Sequence, residues 1–177
     1  DGFEVAVRAV LGQQVSVAAA RTLASRLVQR YGTPIEAPGT SGLDRLFPDA
    51  QQLAVANLDQ MGITQARINT LHGIAQALIE GRVDFGMEQA LDTFVRRWVQ
   101  LPGIGEWTAH YIAMRVLKHP DAFPAADLIL RREANPDGPP LSTKAMQTLA
   151  ESWRPWRAYS VLYLWRAATD AAALKRI

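Results

Sequence analysis

The chemically most suggestive stretch is Leu101-Pro102-Gly103-Ile104-Gly105, followed at once by Glu106-Trp107-Thr108-Ala109-His110-Tyr111. Proline lacks the N–H that continues a helix, and both glycines can take positive φ and leave backbone amides uncovered by side chains. Bare amides ahead of a helix, reinforced by its dipole, can seat a phosphate. The same string can equally be a tight turn between packed helices. Trp107 and Tyr111, four residues apart, present two rings on one face of the following helix. Further on stands Asp127, the only acid between Asp121 and Glu133, at the start of a short apolar helical pattern. Taken alone, an aspartate there is most often an N-cap worth about 1 kcal/mol. His110 and His119 lack metal-ligand partners at workable spacing, so His110 is expected to face solvent or a phosphate.

Helices must position these residues. Ala90 through Val99 places apolar residues at three- and four-residue spacings, and Trp107, Tyr111 and Met114 begin a second helix running to about Leu117. Upstream, Phe3, Val7, Val10 and Leu11 mark a first helix ending near Gly12, and Ser16 caps a second through Tyr31, closed by Gly32. The prolines and glycines of Thr33 to Gly42 indicate a loop. Asp49 opens a short helix through Ala56, and Thr64 caps a longer one through Glu80 with Gly81 as its stop. Asp127 opens a short helix, Ser142 or Thr143 caps another to about Trp153, and Pro155 begins a last one through Ala168. Trp98, Trp153 and Trp156 are expected in the packed interior. No segment alternates with period two, so the expected fold is all-α.

Composition bounds the function. A chain of 177 residues with 49% hydrophobic content suits one globular domain, with at most a small satellite. It contains no cysteine, which excludes disulfides, a thiolate nucleophile and cysteine-held zinc or iron–sulfur centres. No apolar run reaches membrane-spanning length, so no membrane partner is expected, and the absence of an initial Met suggests a piece of a longer chain. The net charge of +2 is uneven: residues 1–90 carry −2 and residues 91–177 carry +4. The basic excess falls in the half that holds the glycine turn, as a nucleic-acid face requires, although solvated surface explains so small a margin equally well.

Helix, Leu-Pro-Gly-x-Gly turn and helix, with Thr108-Ala109 after the second glycine, resemble the helix-hairpin-helix DNA-binding motif, at about residues 88–117. A single acid beyond it is the arrangement of the helix-hairpin-helix DNA glycosylases. The likeness narrows to the 3-methyladenine DNA glycosylase II group through Phe3–Val17, Leu101–Tyr111, Asp127, the run Trp153-Arg154-Pro155-Trp156-Arg157-Ala158-Tyr159, and Trp165. It implies removal of alkylated bases from double-stranded DNA by cleavage of the N-glycosidic bond after base flipping, in base excision repair. It also implies a small β domain, normally preceding the helical part and absent from this chain. A monomer in the cytoplasm, reaching the nucleoid through DNA, is expected. The alternative is a non-catalytic helix-hairpin-helix DNA-binding module, which would tolerate loss of Asp127.

The resemblance assigns roles to individual residues. Asp127 is the catalytic carboxylate, facing the sugar. Trp107, Tyr111 and Trp165 line the pocket for the flipped, electron-poor base, as cation–π attraction favours. Gly103 and Gly105 hold a phosphate. Gln14, where the family commonly has an apolar residue, matches the wedge that fills the duplex, with Gln13 as the alternative. No organic cofactor is implied; a monovalent cation on the backbone carbonyls of Val99, Leu101 and Ile104 is. Bifunctional relatives carry a Schiff-base lysine at the position of Trp107 here, so a hydrolase without strand-cleaving lyase activity is expected.

Overall fold

The computed structural model describes residues 1–36 and 43–174. Among them are nine α-helices, one 3₁₀ turn and a single isolated bridge between Pro34 and Arg45, with no strand. The all-α expectation therefore stands. The loop expected over 33–42 lies partly outside the described residues. The chain divides into two compact units, one of residues 1–86 with 96–104, the other of residues 87–95 with 105–177.

The first unit contains α1 (Gly2–Leu11), α2 (Val17–Tyr31), α3 (Ala50–Ala54) and α4 (Gln65–Ile79). Each begins where a side-chain oxygen can accept an orphan amide: Asp1 from Phe3, Ser16 from Ala19, Asp49 from Gln52, Thr64 from Arg67. Phe3, Val7, Val10 and Leu11 of α1 are buried with Leu27, Leu53, Ile68, Leu71 and Ile74. Each large apolar side chain removed from water this way contributes about 1.5–3 kcal/mol before chain entropy is deducted. Trp98 joins this core, its ring centroid 5.3 Å from that of Phe85. α3 ends at Ala54 rather than Ala56.

α5 (Leu91–Trp98) has residues in both units, and the glycine turn follows it in sequence. The second unit contains α6 (Glu106–Arg115), α7 (Leu128–Glu133), α8 (Thr143–Ala150) and α9 (Arg157–Leu174). Phe94, Ile112, Phe123, Leu130, Met146 and Val161 form its interior, and α7 packs on α9. α6 stops two residues short of Leu117 because Lys118 takes φ 54° and its Nζ donates to the Arg115 carbonyl at 2.8 Å. The expected start of the last helix at Pro155 is corrected. The Arg154–Pro155 peptide is cis, the Trp156 amide closes a turn onto the Trp153 carbonyl, and α9 begins only at Arg157. That turn leaves Trp156 57% exposed, so its expected burial is also corrected, whereas Trp98 is buried and Trp153 is half-buried edge-on to Phe123. No helix among the described residues is long and apolar enough to cross a membrane.

Candidate active site

Asp127 is the N-cap of α7, as its position in the sequence suggested, and it is more than that. Its Oδ1 accepts from the Ile129 and Leu130 amides at 2.9 and 3.0 Å. The Trp107 indole donates to Oδ2 at 2.8 Å, and the Trp165 indole donates to Oδ1 at 3.4 Å. Four N–H groups thus converge on one half-buried carboxylate and fix its position. Oδ2 accepts from Trp107 alone and so retains a lone pair for a group outside the protein.

The three aromatic residues expected around the pocket are brought together. Trp107 and Tyr111 stack with centroids 5.3 Å apart and planes 7° from parallel, the outcome of four-residue spacing on α6. Trp165 of α9 stands 6.2 Å from Tyr111 at 50°. The acid and three rings therefore form one cluster within the second unit, drawn from α6, the start of α7 and α9. Among the described residues no group of three or more histidines and acids could hold a metal ion.

The two glycines of the turn differ. Gly103 takes φ +83°, and a Cβ there would lie 2.0 Å from Thr70 Oγ1, so no other residue fits without displacing the turn. Gly105 has φ −93°, so of the two glycines only Gly103 uses the left-handed region, and a Cβ on Gly105 would meet nothing within 4 Å. It is the N-cap of α6 and, having no side chain, makes no side-chain cap hydrogen bond. Gly103 therefore serves the fold, while Gly105 leaves the start of α6 without a side-chain cap. Gly103→Ala is expected to destabilise the protein by well over 1 kcal/mol, since strain and overlap add. Gly105→Ala should leave the melting temperature within about 2 °C; equal melting temperatures for the two variants would contradict this division.

In the first unit Gln14 is exposed at φ 54° in the turn that follows α1, while the Gln13 side chain is engaged with Gly103. Of the two candidate wedge residues, only Gln14 projects. Three backbone carbonyls at Val99, Leu101 and Ile104 supply neutral, hard oxygens; that of Leu101 accepts the Ile104 amide at 3.0 Å and keeps a second lone pair. Such a donor set suits an alkali cation and no transition metal.

His110 overturns its expectation. It is part-buried, and its Nδ1 accepts the Phe123 amide at 3.2 Å. Burial, and then the Arg157 guanidinium, lower its pKa to about 4, against the upward pull of Asp92 and Asp121. The unfolded imidazole binds its proton near pH 6.5, so stability is full above that pH and is lost as pH falls toward about 4, by at most about 1.4 kcal/mol per unit. His110→Gln preserves an acceptor for Phe123 and should flatten this acid limb in urea titrations at pH 4.5 and 7. Identical pH dependence in variant and parent would contradict it.

Spacing did not mark Arg157 for any role. It is 8% exposed, binds Asp121 through Nε at 2.7 Å and Nη2 at 2.8 Å, and donates to the Asp121 carbonyl at 3.0 Å. Its guanidinium lies over Phe123, and the next amide, of Ala158, donates to the Pro120 carbonyl. The clamp fixes the first turn of α9, which carries Trp165, against the segment leading to Asp127.

The sequence has close relatives. It is 40% identical over 165 residues to a probable bifunctional transcriptional activator/DNA repair enzyme AlkA of Mycobacterium tuberculosis, covering 93% of this chain and 33% of that protein. It is 34% identical over 168 residues to DNA-3-methyladenine glycosylase 2 of Escherichia coli, covering 93% and 57%. The chain thus spans about a third to a little over half the length of these curated relatives. The structure of the Schizosaccharomyces pombe 3-methyladenine DNA glycosylase Mag1 in complex with abasic DNA shares the fold, with a TM-score of 0.79 at 23% identity, covering 95% of this chain and 81% of that one. With residues 7–158 matching the profile of the HhH-GPD superfamily base excision DNA repair proteins, this chain belongs to that family.

Proposed function

We propose that this chain is the helical catalytic part of a DNA glycosylase that excises alkylated, 3-methyladenine-type bases from double-stranded DNA by hydrolysis, with no strand-cleaving step. The observation that carries the reading is the Asp127 carboxylate, held in place by two helix amides and two indoles inside an aromatic cluster.

Alkylation at a ring nitrogen makes the base cationic, so the glycosidic bond is already weak and needs little acid assistance. A base inside a duplex is out of reach, and everting it costs a few kcal/mol in lost stacking. Gln14, exposed and left-handed, fills the vacated space. The open amides at Gly105 hold a backbone phosphate, and Gly103 gives the turn the shape that presents them. Faces of Trp107, Tyr111 and Trp165 receive the electron-poor ring. As the bond breaks, positive charge grows on the sugar, and the free lone pair of Asp127 Oδ2 stabilises it and orients the attacking water. Carbonyls of Val99, Leu101 and Ile104 would hold a monovalent cation, which when bound adds positive field for the phosphate.

A lyase needs an amine at the sugar. Trp107 occupies the position where bifunctional relatives carry lysine, and Lys118 Nζ is spent on the Arg115 carbonyl. The intact protein should therefore release methylated bases from methylated duplex DNA, leaving unbroken abasic strands and no borohydride-trapped protein–DNA adduct. Absence of base release sinks the glycosylase assignment, whereas a trapped adduct sinks only the hydrolase-without-lyase part.

A further inference from the structure

We propose that Gln13 is a positioning residue that fixes the exposed Gln14 at a set distance from the glycine hairpin, through a platform on α4. Its side-chain Nε2 donates to the Gly103 carbonyl at 3.1 Å across 90 residues of sequence. Its own carbonyl accepts from Arg67 Nη2. Arg67 and Thr70 lie three apart on α4, hence on one face of that helix. Thr70 is 5% exposed, donates its hydroxyl to the Ala66 carbonyl at 2.9 Å, and sits where any Cβ on Gly103 would have to go.

Arg67 therefore holds the turn after α1, Thr70 abuts the hairpin, and the Gln13 amide joins the two loops directly. All these residues belong to one compact unit. Gln14 follows Gln13 with φ 54°, a conformation uncommon for a residue with a side chain and sustained only by its surroundings. With its neighbour tied at both the carbonyl and the side chain, Gln14 has little freedom to change direction. The consequence is functional: a wedge enters a duplex productively only if it arrives at a set offset from the Gly103 turn. Holding the two at one spacing prepays orientation that would otherwise be lost at each encounter.

This inference rests on the glycosylase reading above, and the test separates the two. In the intact protein, Gln13→Met keeps the volume but removes the donor; Gln13→Glu keeps the shape and sets a carboxylate against the Gly103 carbonyl. Both should slow single-turnover release of a methylated base about tenfold, roughly the worth of one net hydrogen bond. Both should reduce the fluorescence change of a 2-aminopurine placed beside the lesion, while affinity for a duplex already bearing an abasic analogue stays within about twofold. Combined with Gln14→Ala, either should slow release no further than Gln14→Ala alone, because no wedge remains to be placed. Parent-like rates in both Gln13 variants, or losses that multiply with Gln14→Ala, overturn the proposal while leaving the glycosylase reading intact. No release by the parent refutes the glycosylase reading and this inference with it.

Discussion

Asp127→Asn is expected to lower single-turnover release of methylated bases about a thousandfold in the intact protein, the upper range for losing one preorganised electrostatic group at a reacting centre. Asparagine matches the shape, and its Oδ1 can still accept from the Ile129 and Leu130 amides, so α7 keeps its cap. Charge is lost, however, and the amide nitrogen faces the Trp107 indole N–H, setting donor against donor where a 2.8 Å hydrogen bond now stands. That orphaned indole should cost about 1 kcal/mol, a drop of about 2–4 °C in melting temperature. Unimpaired base release by the variant would remove Asp127 from the chemistry. The chain would then be better described as a DNA-binding helix-hairpin-helix module.

The second large effect is on stability. Arg157→Leu should lower it by about 3–5 kcal/mol, since the Asp121 carboxylate, 8% exposed, would lose its bidentate partner. Arg154 also pairs with Asp121, so the lower part of that range, about 6–12 °C in melting temperature, is expected. Arg157→Leu combined with Asp121→Leu removes both charges and should recover most of the loss, because an apolar pair of similar volume often replaces a buried ion pair without penalty. A double variant no more stable than Arg157→Leu alone would show that shape, rather than charge, holds α9 to the loop before Asp127.

What could be read from the sequence follows the range of the forces involved. Ser16, Asp49, Thr64, Asp127 and Ser142 were identifiable as caps because their partners lie two or three residues away. Trp107 and Tyr111 were placed together by helical period alone. The donors that complete the Asp127 site come from 20 and 38 residues away; spacing singled out Trp107, and only likeness to a family pointed to Trp165. Long-range partners were invisible: Arg157 reads as one more surface charge until Asp121, 36 residues earlier, is seen beside it. His110 was misplaced because the Phe123 amide it accepts arrives on a loop that no local pattern locates. The misreadings of Pro155 and Trp156 share a cause. Residue preference states what a position tolerates, and the neighbouring chain decides which option is used.

The paired indole contacts at Asp127 also give the protein an intrinsic optical gauge. Trp107 and Trp165 are two of only five tryptophans, and both point their ring nitrogens at one anion. Near-ultraviolet emission should thus respond to neutralising that charge or covering those rings, so occupancy of the cluster can be followed without any attached dye.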